Sequence, residues 1–147
     1  MSIRVNFTDV KDTFDLIPSG TYVAKVTDGE MREAGPNAKN PGAEMINWEF
    51  TIQKGDHESR KQWINTVLVE NALGILKNFL GALSKDGTPM FNQEQLDGDL
   101  DFDIDDILGA DCKIVVGQRV YEGENRNYVK RVKPLTEQDI AEDSLLP

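Results

Sequence analysis

Apolar and polar positions alternate most cleanly between Ile46 and Ile52. Ile46, Trp48, Phe50 and Ile52 fall on one parity; Asn47, Glu49 and Thr51 fall on the other. That period belongs to a strand with one buried face, so the even positions are expected in a core, Trp48 among them. A second run, Ser59 to Val69, starts with Arg60 and Lys61 and continues through Trp63, Ile64, Thr66 and Val67. Its composition suits a pleated, half-buried surface. Lys54-Gly55-Asp56-His57 separates the two runs, which predicts an antiparallel hairpin. At Asn71 the period changes. Ala72, Leu73, Leu76, Phe79, Leu80 and Leu83 recur at three and four residues, predicting a helix. Asn71 is its expected cap, and Lys85, Asp86-Gly87 and Thr88-Pro89 are its stop.

Upstream, residues 1–17 read as an N-terminal arm that Phe7, Phe14, Leu16 and Ile17 can dock. Pro18-Ser19-Gly20 is a turn, and Thr21–Thr27 is a strand, with Asp28–Ala34 as its extension past a bend at Gly29. Gly35–Gly42, with two Gly and two Pro, is a loop. Downstream, 84–108 reads as an acidic insertion with a short helical turn at Asp103–Leu108. Two strands follow, Ala110–Val120 and Asn127–Lys133, turned by Glu122–Asn125. Thr136-Glu137-Gln138-Asp139 has the spacing of a capping box and opens an acidic tail, 135–147. The expectation is one domain, 18–134, mainly β. Its order of three strands, one helix and two strands is that of the OB-fold, a five-stranded Greek-key barrel. Another β-barrel or a small α+β sandwich shares that order. In an OB-fold the ligand lies on strands two and three and on the loops between strands one–two and four–five. Those loops would be Gly35–Gly42 and Tyr121–Asn127.

Charge changes the picture more than composition does. The net charge of −10 opposes nucleic-acid binding at face value. Yet nine of the 26 acidic residues lie within 86–111, where there is no Lys or Arg, and four more lie from Glu137 onward. The other 13 face all 16 basic residues, and residues 112–134 hold six basic against two acidic. The negative charge is segregated. No apolar run approaches the length of a membrane span, and the first residues lack the apolar core of a signal peptide. The single cysteine, Cys112, excludes an internal disulfide and reads as a small buried strand residue of a cytoplasmic protein.

Several short stretches resemble a known family. They are Ile17-Pro18-Ser19-Gly20-Thr21-Tyr22, Asn47-Trp48-Glu49-Phe50, Arg60-Lys61, Glu70-Asn71-Ala72-Leu73 and Asp105-Asp106-Ile107-Leu108-Gly109. In order and spacing, over about residues 14–134, they are similar to a bacteriophage family of small OB-fold single-stranded-DNA-binding proteins from replication and recombination gene clusters. The resemblance implies a protein of the host cytoplasm that coats and protects single-stranded DNA during replication or recombination.

Binding single strands without sequence preference needs a cationic groove and aromatic faces on which bases stack. Lys39, Arg60, Lys61, Trp63, Arg119, Tyr121, Arg126, Tyr128 and Lys130 are the candidates. The bland alternative makes Tyr121 and Tyr128 cross-strand partners and Trp63 core. Strand five is ambiguous, because Tyr128, Lys130 and Val132 share one parity and Asn127, Val129, Arg131 and Lys133 the other; Tyr128 and Lys130 are read as outward. In the tail, Asp139, Ile140, Glu142, Asp143, Leu145 and Leu146 are similar to the acidic, apolar-tipped tails with which bacterial single-strand binders recruit replication partners. An ordinary mobile terminus is the alternative. The run Asp97–Asp106 falls short of a calcium loop, because Phe102 stands where glycine is needed and Leu108 where the bidentate glutamate is needed. A solvated, self-repelling loop is the reading taken. With one His, one Cys, no Gly-Lys-Ser/Thr run and no paired-Cys spacing, neither an enzyme nor a metal or other cofactor is expected. A protein-interaction module on the same barrel, without nucleic acid, is the alternative function.

Overall fold

The computed structural model describes residues 2–6, 16–136 and 139. Its long strands are β1 (Gly20–Glu33), β2 (Glu44–Ile52), β3 (Lys61–Val67), β6 (Asp111–Tyr121) and β7 (Glu124–Lys133). Two-residue strands β4 (Ser84–Lys85) and β5 (Thr88–Pro89) make a miniature hairpin between them. The helices are α1 (Leu73–Gly81), α2 (Gln93–Asp97) and α3 (Ile104–Ile107). The protein is therefore mainly β. Its strands form one antiparallel sheet ordered β3-β2-β1-β6-β4-β5, with β7 also on β6. Among the described residues no ladder joins β3 to β7, although their Cα atoms approach within 8 Å.

β1 organises the sheet because it is long enough to pair twice. Gly20–Lys25 pair with β6, and Ala24–Glu33 pair with β2, across a register shift between Val26 and Asp28. The shift lies beside the expected bend. The hairpin predicted from the alternating run is present, with Trp48 opposite Ile64. Ile46, Trp48, Phe50 and Ile52 are all buried, and the Trp48 indole N–H donates to Thr66 Oγ1 at 2.9 Å. That bond satisfies the one polar group the ring carries into the core. Phe79 of α1 lies with its ring centroid 4.8 Å from Trp48 and 5.8 Å from Phe50, so the helix packs on the buried face of β2.

Several expectations need correction. Asn71 does not cap α1. Glu70–Ala72 form a 3-10 turn, and Ala72 occupies the cap position without a side-chain bond. Leu73 belongs to the predicted apolar stripe but is exposed, while Leu83 is buried just beyond the helix end. The third strand starts at Lys61 rather than Ser59, and the last starts at Glu124 rather than Asn127. Glu122 and Gly123 both have positive φ, so the last turn is a tight two-residue hairpin rather than a longer loop.

The acidic stretch 84–108 is more ordered than a solvated loop. Asn92 and Gln95 bond reciprocally as a capping box for α2, and α3 forms where a helical turn was expected. Leu100, Phe102 and Ile104, which alternate with the aspartates, pack against the core. At the chain's beginning, Ile17 is docked and fully buried. Its N–H donates to Asn127 Oδ1, and its carbonyl accepts from Asn127 Nδ2, both at 2.9 Å. Leu16 is exposed, and Phe7 and Phe14 lie outside the described residues. No helix is long and apolar enough to cross a membrane, among the described residues.

Candidate nucleic-acid interface

The outward face of β2 and β3 carries three polar cross-strand pairs: Asn47 with Asn65, Glu49 with Trp63, and Thr51 with Lys61. Alternation puts them there, because their neighbours Trp48, Phe50, Gln62 and Thr66 point inward and are buried. Trp63 remains 50% exposed. The Glu49 carboxylate links this face. It accepts from Thr27 Oγ1 at 2.8 Å, and Lys61 Nζ lies 3.0 Å away. Burial pushes its carboxyl up. Hydrogen bonds from Thr27, Lys61 and Trp63, with the Lys61 charge, more than offset that and hold it below its ordinary value. The Trp63 side chain thus lies beside the Glu49 carboxylate while half of its surface stays open to solvent.

The β6–β7 hairpin supplies the second set. Gly117 opposes Tyr128, Arg119 opposes Arg126, and Tyr121 opposes Glu124. The Arg119 guanidinium lies 4.5 Å from the Tyr128 ring centroid, and that of Arg126 lies 5.5 Å from the Tyr121 centroid. Cation–π attraction therefore holds two like charges on directly opposed residues. Glu124 Oε2, at 3.3 Å, offsets only Arg126. Two opposed guanidinium groups with one carboxylate between them suit an added anion such as phosphate. Gly117 makes the packing possible. A Cβ there would sit 3.0 Å from the Tyr128 ring and collide with Lys130 Cε.

A bulge resolves the ambiguity of β7. Val115 pairs with Arg131 and Val116 with Val129, which leaves Lys130 as the extra residue. Val129 and Val132 are buried, so Lys130, Arg131 and Lys133 are all exposed, and Tyr128 is half-buried beneath Arg119. Neither parity was wholly right.

The structure thus brings Lys61 beside Trp63 and groups Arg119, Tyr121, Arg126, Tyr128 and Lys130 on one hairpin. Arg60 stands half-buried just before β3. Lys39 does not join them. It is exposed in the loop beyond the Glu33–Glu44 pair, while Lys61 pairs with Thr51 at the other end of β2, roughly 23 Å away at the rise of a strand. Of the tail candidates only Asp139 is described. Lys113 Nζ lies 3.0 Å from its carboxylate, and Thr136 donates to it through both N–H and Oγ1 at 2.7 Å. Those contacts hold its carboxyl down at about 2. The Asp139 N–H returns a bond to Thr136 Oγ1, as the capping-box spacing predicts. Ile140, Glu142, Asp143, Leu145 and Leu146 lie outside the described residues.

Alternation alone puts Glu49 on the outer face, but sequence reasoning singled out neither Glu49 nor Thr27 as a site residue, because only the strand register connects Glu49 to Trp63. Among the described residues no group of three or more His, Cys, Asp and Glu is arranged to hold a metal. Cys112 is fully buried, and desolvation, with Asp111 adding to it, pushes its thiol up, so it carries no thiolate at neutral pH. His57 sets its ring against Tyr22, with centroids 6.0 Å apart.

Fold and surface together define an antiparallel β protein with a polar, ring-bearing outer face. The chain belongs to the family described as "Protein of unknown function (DUF669)", whose pattern it matches over residues 3–142. No curated protein matches it.

Proposed function

We propose that this protein binds single-stranded DNA, largely without regard to sequence, and protects it during phage replication or recombination. The observation that carries the reading is the outward placement of Trp63 and Tyr121, both at least half exposed, each beside a cation. Bases stack on such rings, and the strand's phosphates meet Lys61, Arg119, Arg126 and Lys130. Because the acids concentrate in 86–111 and the tail, the bulk charge is a poor guide to this face.

The same reading takes the sheet as an OB-type barrel. Three features support it: β1 shared between β2 and β6, β7 lying near β3, and α1 falling between the third strand and the later pair. On that view β4, β5, α2 and α3 decorate five main strands. The sequence resemblance supports the phage setting and the expectation of a non-enzymatic, cofactor-free protein.

One titration tests the proposal. Of the two tryptophans Trp48 is buried, so emission quenched by oligo-dT reports Trp63. Quenching at low salt that weakens steeply with added salt and disappears in Trp63→Ala is the expected result. Absence of binding at low salt overturns it. It favours instead an interaction module whose cations are spent on Glu49 and Glu124.

A further inference from the structure

Away from the ring-bearing face, the far half of the β1–β2 hairpin and the stretch 100–106 enclose an open depression of about 680 Å³. Its floor is apolar, with Met31, Leu68 and Phe102 among the lining residues. Its remaining lining is four aspartates, Asp101, Asp103, Asp105 and Asp106, with no Lys or Arg. Met31 is 48% exposed there. Lys85 Nζ, at the edge of this stretch, donates to the Asp106 carbonyl at 2.7 Å rather than to a carboxylate. An apolar depression whose only charged lining residues are aspartates fits an extended segment that alternates apolar and basic side chains.

The chain itself carries such a segment. Ile3 and Val5 are 81% and 59% exposed, so neither is spent on the core, and Arg4 lies between them. In an extended chain Ile3 and Val5 point one way and Arg4 the other. Ile3 and Val5 then reach the floor while Arg4 stays at the mouth, where the carboxylates are. We infer that the N-terminal arm of one copy docks, through Ile3, Arg4 and Val5, in the Met31–Phe102 depression of a second copy.

Arm and depression are different surfaces, so each contact is heterologous: it closes a reciprocal pair or a ring where the rotation permits and otherwise propagates head to tail. It needs no polynucleotide, so it stands or falls apart from the DNA reading. Contacts this small are weak, and association is expected only between about 10 μM and about 1 mM.

Sedimentation velocity of the full chain across that range tests it. The average mass should rise with concentration and fall when salt is added. Ile3→Asp/Val5→Asp and, separately, Met31→Arg should each leave a monomer with an unchanged circular-dichroism melt. Equimolar mixing of the two variants restores one intact arm and one intact depression, so a 1:1 dimer should form and grow no further. Should Met31→Arg unfold, Asp103→Lys replaces it, and pairing with an Arg4→Asp partner should recover the dimer. A wild type that is monomeric throughout overturns the inference, including the case in which each arm folds onto its own depression. Variants that associate like wild type, or a mixture that stays monomeric, overturn it as well.

Discussion

Trp48 and Trp63 are the same side chain on two paired strands, one position apart in the β2–β3 register, and they face opposite ways. Trp48 is fully buried, stacked near Phe79 and bonded to Thr66. Trp63 is half exposed, over a carboxylate shared with Lys61 and Thr27. Because side chains alternate with a period of two, one position decides whether a ring stabilises the fold or is offered to a ligand. The inner ring is surrounded by apolar contacts. The outer one lies beside the Glu49 carboxylate and the Lys61 ammonium, with half its surface left for a base.

The contrast is sharpest in substitution. Trp48→Ala should lower the unfolding free energy by about 3–5 kcal/mol, as expected for emptying a core aromatic site, and urea denaturation measures it. Trp63→Ala should change stability by no more than about 0.5 kcal/mol. It should weaken binding of a labelled oligo-dT by about 1–3 kcal/mol, roughly 5- to 150-fold by anisotropy. Exchanged outcomes would mean the two faces have been assigned the wrong way round.

The two outer regions differ in charge, which gives smaller predictions. Arg119→Ala should flatten the slope of log affinity against log salt by about 0.7, the single-strand value for one phosphate contact, and Arg126→Ala by less, because Glu124 already offsets that charge. Lys61→Ala should do less, because Glu49 already offsets that charge. Glu49→Gln removes a negative charge beneath the proposed strand, so affinity should rise a few-fold, on the order of 0.5–1 kcal/mol. The same substitution tests the acid limb of stability. Glu49 titrates below its ordinary value of 4.5 in the folded chain, so its contribution is complete above about pH 4.5 and fades as pH falls through the lowered value. Wild type should thus lose its advantage over Glu49→Gln in acid, as followed by melts between neutral pH and pH 3.

The inner half of this contrast was legible in the amino-acid order. One buried face forces alternation, so the run from Ile46 to Ile52 reads correctly. The β7 face was not legible, because one extra residue at Lys130 breaks parity and leaves no mark in composition. Asn71 misled because a polar residue before an apolar period resembles a cap, whereas here it is taken up in a 3-10 turn. In the acidic stretch the density of aspartates hid two readable signals. These were the Asn92–Gln95 box and the alternation of Leu100, Phe102 and Ile104. Links such as Glu49 to Trp63, or Arg119 to Tyr128, depend on register between strands and have no local signature.

Only Ala24 and Lys25 of β1 belong to both ladders, toward Ile52 and Thr51 on one side and Cys112 and Asp111 on the other. Val23 and Val26 extend this spine at either end, Val23 accepting from the Gln53 N–H and Val26 bonding to Gly109 and Ala110, so two leaves share one short stretch of backbone, with the Trp63 surface on one leaf and the arginine hairpin on the other. Amide hydrogens at the spine should be among the last to exchange with deuterated solvent, and a proline set into it would loosen both leaves in a single stroke.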